Sequence, residues 1–229
     1  MEIPNYQPPS HYEIVLAKHT QSISLPQVKK NAIELMRQLD GWCSNEKACF
    51  LIDLIYKANP KIIVEIGVWG GKSLVPMAYA LKCLEEGVIY GIDPWTSEES
   101  VKWVENEVNK EFWGSANHET ILKNLKEKIK HFGLSNQIQL IRSTSENASP
   151  IFGIDMIHID GNHSEYTCYL DVVKWVPLMN PGGWIILDDM TWCENGKFTE
   201  TKAIEWLDQN CIRFADFTDT SKWGVWIKP

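Results

Sequence analysis

Short apolar segments and amphipathic stretches alternate along the central part of the chain. The apolar segments predict strands at residues 62–66, 88–92, 138–141, 155–159 and 184–187. Between them, apolar positions recur at helical spacing near residues 73–85, 100–110, 118–132 and 165–179. Short buried strands separated by helices are typical of a parallel sheet that is covered by helices on both faces. The pattern therefore predicts an α/β fold.

The two ends of the chain extend this core. Helical spacing predicts helices at residues 25–39 and 44–58, whereas residues 1–23 have no regular pattern and are expected to run irregularly over the domain. Downstream, a helix is predicted at 200–209 and strands at 212–217 and 224–227. We therefore expect a sheet-containing domain at residues 60–229 and an N-terminal helical extension at residues 1–59, packed together as a single globular unit.

Composition narrows the class of protein. The 229 residues suit one α/β domain with a short extension, and the net charge of −8 disfavours nucleic acid or an anionic membrane as the main partner. No apolar run is long enough to span a bilayer, and the N-terminus lacks the pattern of a signal peptide, so a cytoplasmic protein is expected. The six cysteines form no CxxC pair, which argues against a zinc knuckle or a redox motif.

The segment VEIGVWGGKS, residues 64–73, joins the first predicted strand to a helix. Glycines at such a turn let the backbone approach a ligand closely, and the helix start offers free N–H groups. The dinucleotide pattern GxGxxG is absent, and the phosphate loop GxxxxGK[ST] fails because position 66 is isoleucine. A third pattern, an acidic residue followed by GxxxGxS, does match. In this pattern the chain resembles the class I S-adenosylmethionine (SAM)-dependent methyltransferases. The resemblance implies cofactor contacts at Glu65, Gly67, Trp69, Gly71 and Ser73.

Two further strand ends extend this resemblance. Asp93 ends the second predicted strand, where a carboxylate can accept both ribose hydroxyls of an adenosine ligand. Ser145 and Glu146 follow the third predicted strand, at the position where similar methyltransferases cup the adenine. The family's fold is a Rossmann-like seven-stranded sheet, mostly parallel with a C-terminal antiparallel strand, and we expect the same here.

Carboxylates follow the fourth and fifth predicted strands. Asp160 lies in the sequence HIDGNH after the fourth strand, and Asp188 and Asp189 follow the fifth. If these strands are neighbours, about 5 Å apart, three carboxylates converge and raise one another's pKa. A divalent cation resolves the repulsion, and an all-oxygen site suits Mg²⁺, Mn²⁺ or Ca²⁺ better than zinc. Metal-independent methyltransferases also carry an acid after the fourth strand, so a metal-free enzyme stays an alternative.

The paired acids narrow the resemblance to the cation-dependent O-methyltransferases, a group that includes catechol O-methyltransferase and bacterial sugar O-methyltransferases. It covers roughly residues 40–190 and implies that Asp160, Asp188 and Asp189 hold Mg²⁺, with Asp160 also close to SAM. A lysine base of the catechol enzyme is replaced here by His163, which can take a proton at neutral pH or simply hydrogen-bond a loop. The implied reaction is methyl transfer to a hydroxyl of a small molecule, a sugar or a phenolic.

Other questions stay open at the level of sequence. The tryptophan-rich segment 94–117 is either a lid that closes over the acceptor together with Trp192 or an extra surface helix. A P-loop-like nucleotide hydrolase and a non-catalytic SAM-binding module are the alternative functions. A homodimer is one assembly compatible with the sequence.

Overall fold

The computed structural model describes residues 23–219 and 221–229. The helices are α1 (Leu25–Met36), α2 (Asn45–Ala58), α3 (Leu74–Leu84), α4 (Ser97–Val101), α5 (Glu107–Ser115), α6 (His118–His131), α7 (Glu165–Trp175) and α8 (Thr201–Asn210). The strands are β1 (Ile62–Ile66), β2 (Val88–Asp93), β3 (Ile138–Arg142), β4 (Ile154–Ile159), β5 (Met179–Leu187), β6 (Cys193–Glu194), β7 (Lys197–Phe198), β8 (Ile212–Thr218) and β9 (Lys222–Ile227).

Seven strands form one sheet in the order β3-β2-β1-β4-β5-β9-β8, and β6 and β7 form a separate hairpin. Neighbours from β3 to β5 are parallel, whereas β9 runs antiparallel to both β5 and β8. This arrangement confirms the predicted Rossmann-like sheet with its C-terminal antiparallel strand.

Apolar side chains cover both faces of the sheet. Ile63 and Met156 belong to one buried cluster, together with residues of α1, α2, α3 and α6. Their neighbours Val64 and Ile157 belong to a second cluster, together with residues of α7 and α8. Because successive side chains of a strand point to opposite faces, the two clusters are the two covered sides of the sheet.

The strand order indicates at which edge of the sheet a ligand binds. The chain moves outward from β1 to β2 and β3, and then returns to β4 on the other side of β1. Ligands of open α/β sheets bind at such a switch point, beyond the carboxyl ends of the strands. The predicted site residues Gly67, Asp93, Asp160 and Asp188 all follow or end these strands, so they meet at this edge.

The structure differs from the sequence prediction in several elements. The helix predicted at 100–110 is wrong: α4 ends at Val101, Trp103 has a positive φ of 63°, and Asn106 starts α5 by accepting N–H bonds from the new helix. The helix predicted at 165–179 is α7 followed by a 3₁₀ turn, and β5 begins earlier than predicted. The hairpin of β6 and β7 was not predicted. The two-part division of the chain stays a prediction, and residues 1–22 lie outside the described residues.

Across the described ranges, no helix is both long enough and apolar enough to cross a bilayer.

Candidate active site

Two glycines of the loop between β1 and α3 adopt a backbone conformation that favours glycine. Gly67 and Gly71 both have φ of +82°, and a Cβ on Gly67 would lie 1.9 Å from the carbonyl oxygen of Asp160. A Cβ on Gly71 would lie 2.5 Å from Leu125 Cδ1. Trp69 has a positive φ of 51° without being glycine, and its carbonyl accepts a bond of 2.9 Å from the indole N–H of Trp95. Close packing against the β4 end thus fixes the path of the loop.

Asp93 holds this loop in place. Its Oδ2 accepts the N–H groups of Val68 and Trp69 at 3.0 and 2.9 Å, and its Oδ1 accepts that of Trp95 at 2.7 Å. Burial raises the pKa of Asp93, and these three bonds oppose that rise. A carboxylate has about four lone-pair sites, and these bonds use both sites of Oδ2 and one of Oδ1. One site on Oδ1 is left, so a ribose contact of Asp93 stays a prediction.

Glu65 lies beneath the glycine loop. Its Oε1 accepts the Ser73 hydroxyl at 2.5 Å and lies 2.9 Å from His158 Nδ1. Burial raises the pKa of Glu65 to about 8, so this carboxyl is largely protonated at neutral pH. Glu65 therefore supports the loop from below, and a contact with a cofactor would have to pass through Ser73.

The segment after β3 is tied to α7. The Ser145 hydroxyl donates to Asp171, and the Lys174 ammonium donates to the carbonyls of Ser145 and Glu146, each at 2.6 Å. Burial raises the pKa of Asp171 to about 7. Lys174 and Asp171 were not predicted from the sequence; Asp171 lies on the buried face of α7, and Lys174 is half-buried. They give the predicted adenine segment a fixed shape.

The three predicted metal-binding acids meet beyond β4 and β5. The pairing of Ile159 with Leu187 brings Asp160 beside Asp188, and the Asp188 N–H donates to the Ile159 carbonyl at 3.0 Å. Donor atoms of Asp160, Asp189 and His163 lie within 4.8 Å of one another, as do those of Asp160, Asp188 and His158. Asp160 belongs to both groups, and burial raises its pKa to about 7.

Lys47, which was not predicted as a site residue, enters this acidic cluster from α2. Its buried ammonium pairs with Asp188 Oδ2. The positive charge of Lys47 lowers the pKa of Asp160 and of Glu65, against the larger effect of burial. The helical pattern of residues 44–58 predicts where α2 lies, but it gives no signal that one of its lysines reaches β5.

His163 lies between two carboxylates. Its Nε2 is 3.2 Å from Asp189 and its Nδ1 is 3.5 Å from Glu200, while the ring packs on Trp192 with centroids 4.7 Å apart. Burial disfavours the charged ring, but the bond to Glu200 and the charge of Asp189 outweigh it and raise the pKa of His163 to about 9. In this arrangement, the imidazole is protonated at neutral pH.

The segment 94–117 lies over these groups. Asn162, next to His163, donates its side-chain N–H to the carbonyls of Glu99 and Lys102 at 3.2 and 3.0 Å. From the other side, the buried carboxylate of Glu194 accepts the N–H of Glu105 at 2.7 Å. The sequence gives no signal for Asn162 and Glu194, because their partners are backbone groups, which every residue carries. Both contacts fix the tryptophan-rich segment close to the cluster.

One cavity of about 460 Å³ joins these parts. All the predicted site residues line it except Glu65 and Gly71, and Lys47 also reaches it. Its walls carry seven side chains of tryptophan, tyrosine or phenylalanine: Trp42, Trp69, Trp103, Phe112, Trp113, Tyr166 and Trp192. The glycine loop is at one end and the acidic cluster at the other, so a ligand on the loop can face a second ligand at the acids.

Solved structures share this fold. An O-methyltransferase of Bacillus cereus, solved with SAH, has a TM-score of 0.62 at 14% identity and covers 94% of this chain and 97% of its own. An SAH-bound methyltransferase of Podospora anserina gives 0.62 at 13% identity, over 100% and 99%. The SAM-bound O-methyltransferase of tomaymycin synthesis in Streptomyces achromogenes gives 0.61 at 13%, over 97% and 99%. At such low identity these likenesses show the fold.

A comparison with curated proteins finds no match to the chain. A family model described as a methyltransferase domain matches residues 64–190, more than half of the chain. The match runs from the glycine loop to the residue after the paired acids, and so contains both ends of the cavity. The chain belongs to this methyltransferase-domain family and is, as its sequence predicts, a SAM-dependent methyltransferase.

Proposed function

We propose that the protein transfers the methyl group of SAM to a hydroxyl oxygen of a flat aromatic small molecule, with the help of a divalent cation. The observation that carries the proposal is the single cavity in which the glycine loop faces Asp160, His163 and Asp189 between aromatic walls. Methyl transfer needs an acceptor oxygen held in line with the methyl group and shielded from water. The two ends of the cavity can supply the two ligand sites.

The SAM end is supported by the rigid loop. Gly67 allows close approach of a ligand, Asp93 offers the remaining lone-pair site of Oδ1 to a ribose hydroxyl, and Ser145 and Glu146 border the adenine side. The neighbours from Bacillus cereus and Streptomyces achromogenes were solved with SAH and SAM on the same fold. We place the methionine part of SAM along the glycine loop, as the resemblance implies.

The acidic end fits a divalent ion. Asp160 and Asp189 offer carboxylate oxygens within reach of one ion, and Asp188 lies beside them. Such oxygen donors suit Mg²⁺ or Mn²⁺. When bound, the ion would stabilise the ionised form of the acceptor hydroxyl.

His163 is the group we assign to take the acceptor's proton. Without an ion the ring is protonated, but a divalent ion at Asp160 and Asp189 would lower the pKa of His163, because positive charge disfavours the imidazolium. In the neutral ring, Nδ1–H donates to Glu200 and Nε2 is left to accept a proton on the side of Asp189. Packing against Trp192 keeps the ring in this plane. If His163 instead only hydrogen-bonds the surrounding loop, the basicity of its ring should not affect the reaction. The replacement His163→Gln, which keeps hydrogen-bonding groups but cannot take a proton, tests this alternative.

The acceptor class follows from the aromatic walls. The rings of Trp103 and Tyr166 contact each other, with centroids 5.9 Å apart. Trp103 is 61% exposed, Tyr166 54% and Trp42 58%. Exposed rings beside a cavity favour a flat apolar ligand that covers them. A phenolic acceptor therefore fits better than a sugar, and the sugar is the second class to test.

The experiment is transfer of isotopically labelled methyl from SAM into panels of phenols and sugars, with Mg²⁺, with Mn²⁺ and with excess chelator. We expect labelled phenolic methyl ethers that disappear with chelator and return with either ion. Asp189→Ala, which removes the ligand oxygen that an asparagine would keep, should lose about 10–100-fold in activity. The matched control Asp216→Ala changes an acid of β8 that does not line the cavity.

Three results would contradict separate parts of the proposal. Labelled sugars without labelled phenols would overturn the acceptor class. Full activity in chelator would overturn the ion and leave Asp160 and His163 for metal-free acid–base chemistry. Failure of SAM to bind would overturn the function itself.

A further inference from the structure

Lys47 places a buried positive charge where the divalent ion is proposed to bind. Its side chain is 3% exposed, and its ammonium lies 5.8 Å from the ring centroid of Trp223 and pairs with Asp188. A charged group in such a position is costly unless a partner compensates it. The pair between Lys47 and Asp188 is therefore a built part of the site.

The start of α2 fixes the reach of this lysine. The backbone N–H of Lys47 donates to the Ser44 hydroxyl at 2.9 Å, which caps the helix, and that hydroxyl in turn donates to Asp219. Asp219 belongs to the turn between β8 and β9, the same turn from which Ser221 reaches Asp188. The helix start and the turn thus converge on one carboxylate.

Asp188 is more fully occupied than its two neighbours. Its Oδ1 accepts the Ser221 hydroxyl at 3.1 Å and the Asp189 N–H at 3.0 Å, while its Oδ2 contacts Lys47 and lies 3.6 Å from His158 Nε2. Within the described part of the chain, neither Asp160 nor Asp189 pairs with a lysine or an arginine. The acids are therefore unequal: Asp188 pairs with a lysine that cannot leave the site, whereas Asp189 faces only the titratable imidazole of His163.

We propose that Lys47 is an internal competitor of the divalent ion, a positioning residue that pairs with Asp188, orients it and thereby weakens ion binding. The inference rests on the proposed function, because it concerns the ion of the same site. The ion must share Asp188 with an ammonium or bind through Asp160 and Asp189 alone, and in both cases the positive charge of Lys47 repels it. A lysine that only fills space would have no effect on the affinity for the ion.

The test is the affinity of the purified full chain for Mn²⁺, measured by calorimetry without SAM or acceptor. Lys47→Met removes the charge while keeping the length of the side chain, and it should tighten Mn²⁺ binding by about tenfold or more, since a like charge a few ångströms away is removed. Lys47→Gln, which keeps a donor to Asp188, is the second variant in case Lys47→Met fails to fold. Lys29→Met, at a half-exposed pair with Asp53, is the control for net charge.

Each outcome of this experiment either supports or overturns the competition between Lys47 and the ion. Tighter binding by Lys47→Met, lost again in Lys47→Met/Asp188→Asn, supports the competition. Equal or weaker binding than in the natural chain overturns it and leaves the ion site standing. If none of the proteins binds Mn²⁺, the competition and the ion both fall. SAM binding, measured on the same samples, shows separately whether the proposed methyltransferase site survives.

Discussion

The two ends of the cavity are built in different ways. Around the glycine loop, buried side chains bond to many backbone groups: Asp93 accepts three backbone N–H groups and Lys174 donates to three carbonyls. Beneath the loop, Glu65 Oε2 is buried without a partner among the described residues. Around the acids, like charges crowd together, Glu200 Oε2 is buried with no hydrogen-bond partner among the described residues, and Trp103 is largely exposed. The first end is held in shape mainly by hydrogen bonds within the chain, whereas the second has charge and apolar surface left to be compensated.

This difference fits the two ligands of a methyltransferase. One methyl donor serves all acceptors of the family, so a rigid and locally satisfied site can hold it in one geometry at little entropic cost. The acceptor end must compensate its acids with an ion and cover its rings with a substrate. Perturbing the first end should therefore affect folding and SAM binding, and perturbing the second should affect the acceptor and the ion.

The largest effect should come from Gly67→Ala. Its Cβ would meet the backbone of Asp160, which cannot move without displacing the β4 end, and the positive φ adds strain. We expect the free energy of unfolding to fall by about 3 kcal/mol or more, with loss of SAM binding. Gly196→Ala is the matched control, because Gly196 has the same φ of +82° with open space around it and should lose only about 1 kcal/mol. Equal losses in urea unfolding would show that the loop tolerates a side chain.

Asp93→Ala removes the acceptor of three N–H groups and the proposed ribose contact. We expect SAM binding to weaken by about 1–3 kcal/mol, the scale for losing a charged hydrogen-bond acceptor. Calorimetric titration with SAM measures this, and Asp53→Ala on the exposed face of α2 is the control. If the variant binds SAM as tightly as the natural chain, Asp93 does not contact the cofactor. The bonds of Asp93 to the loop would then also be dispensable for SAM binding.

Glu65→Gln tests whether the support under the loop is a protonated acid. Burial raises the pKa of Glu65 to about 8, so the folded state binds a proton that the unfolded chain releases near pH 4 to 5. The sign follows: this contribution to stability is full at low pH and is lost as the pH rises towards and through 8. A pKa unit corresponds to about 1.4 kcal/mol, so we expect a fall of up to about 4 kcal/mol from pH 5 to 8.

The measurement is urea unfolding at several pH values. Glu65→Gln cannot ionise, so this part of the pH dependence should vanish in it, whereas Glu46→Gln at the exposed start of α2 should keep it. Identical pH profiles for the natural chain and Glu65→Gln would mean that Glu65 is charged in the folded protein.

The sequence predicted the skeleton of both ends and few of the contacts that complete them. Parallel strands end at one edge, so placing Asp93, Asp160 and Asp188 needed only the apolar pattern and the strand order. Lys47 pairs with Asp188 across 141 residues, and Glu200 reaches His163 from the start of α8. Such pairs depend on how a helix sits on the sheet, and periodicity within a segment carries no information about that.

The segment 94–117 shows a second limit of local patterns. Its polar and apolar spacing predicts one helix, but contacts of its backbone with Asn162 and Glu194 hold two short helices instead. Tertiary hydrogen bonds here outweigh local propensity, as they often do for short helices. The same contacts bring Trp103 to the cavity wall, so whether the segment covers the site could not be decided from the sequence.

The smallest effect, and the sharpest separation of the two ends, is expected for Trp103→Ala. Trp103 lines the acceptor side, contacts Tyr166 and has little packing to lose, because it is mostly exposed. Loss of one stacking ring should raise KM for a phenolic acceptor about 3–10-fold, since an aromatic contact contributes about 0.5–1.5 kcal/mol. SAM affinity and the midpoint of unfolding should stay unchanged. Phe198→Ala, which removes an exposed ring of β7 outside the cavity, is the control and should change neither constant. A weakened SAM affinity in Trp103→Ala would mean that the tryptophan-rich segment serves the cofactor, and that the two ends of the cavity are one site rather than two.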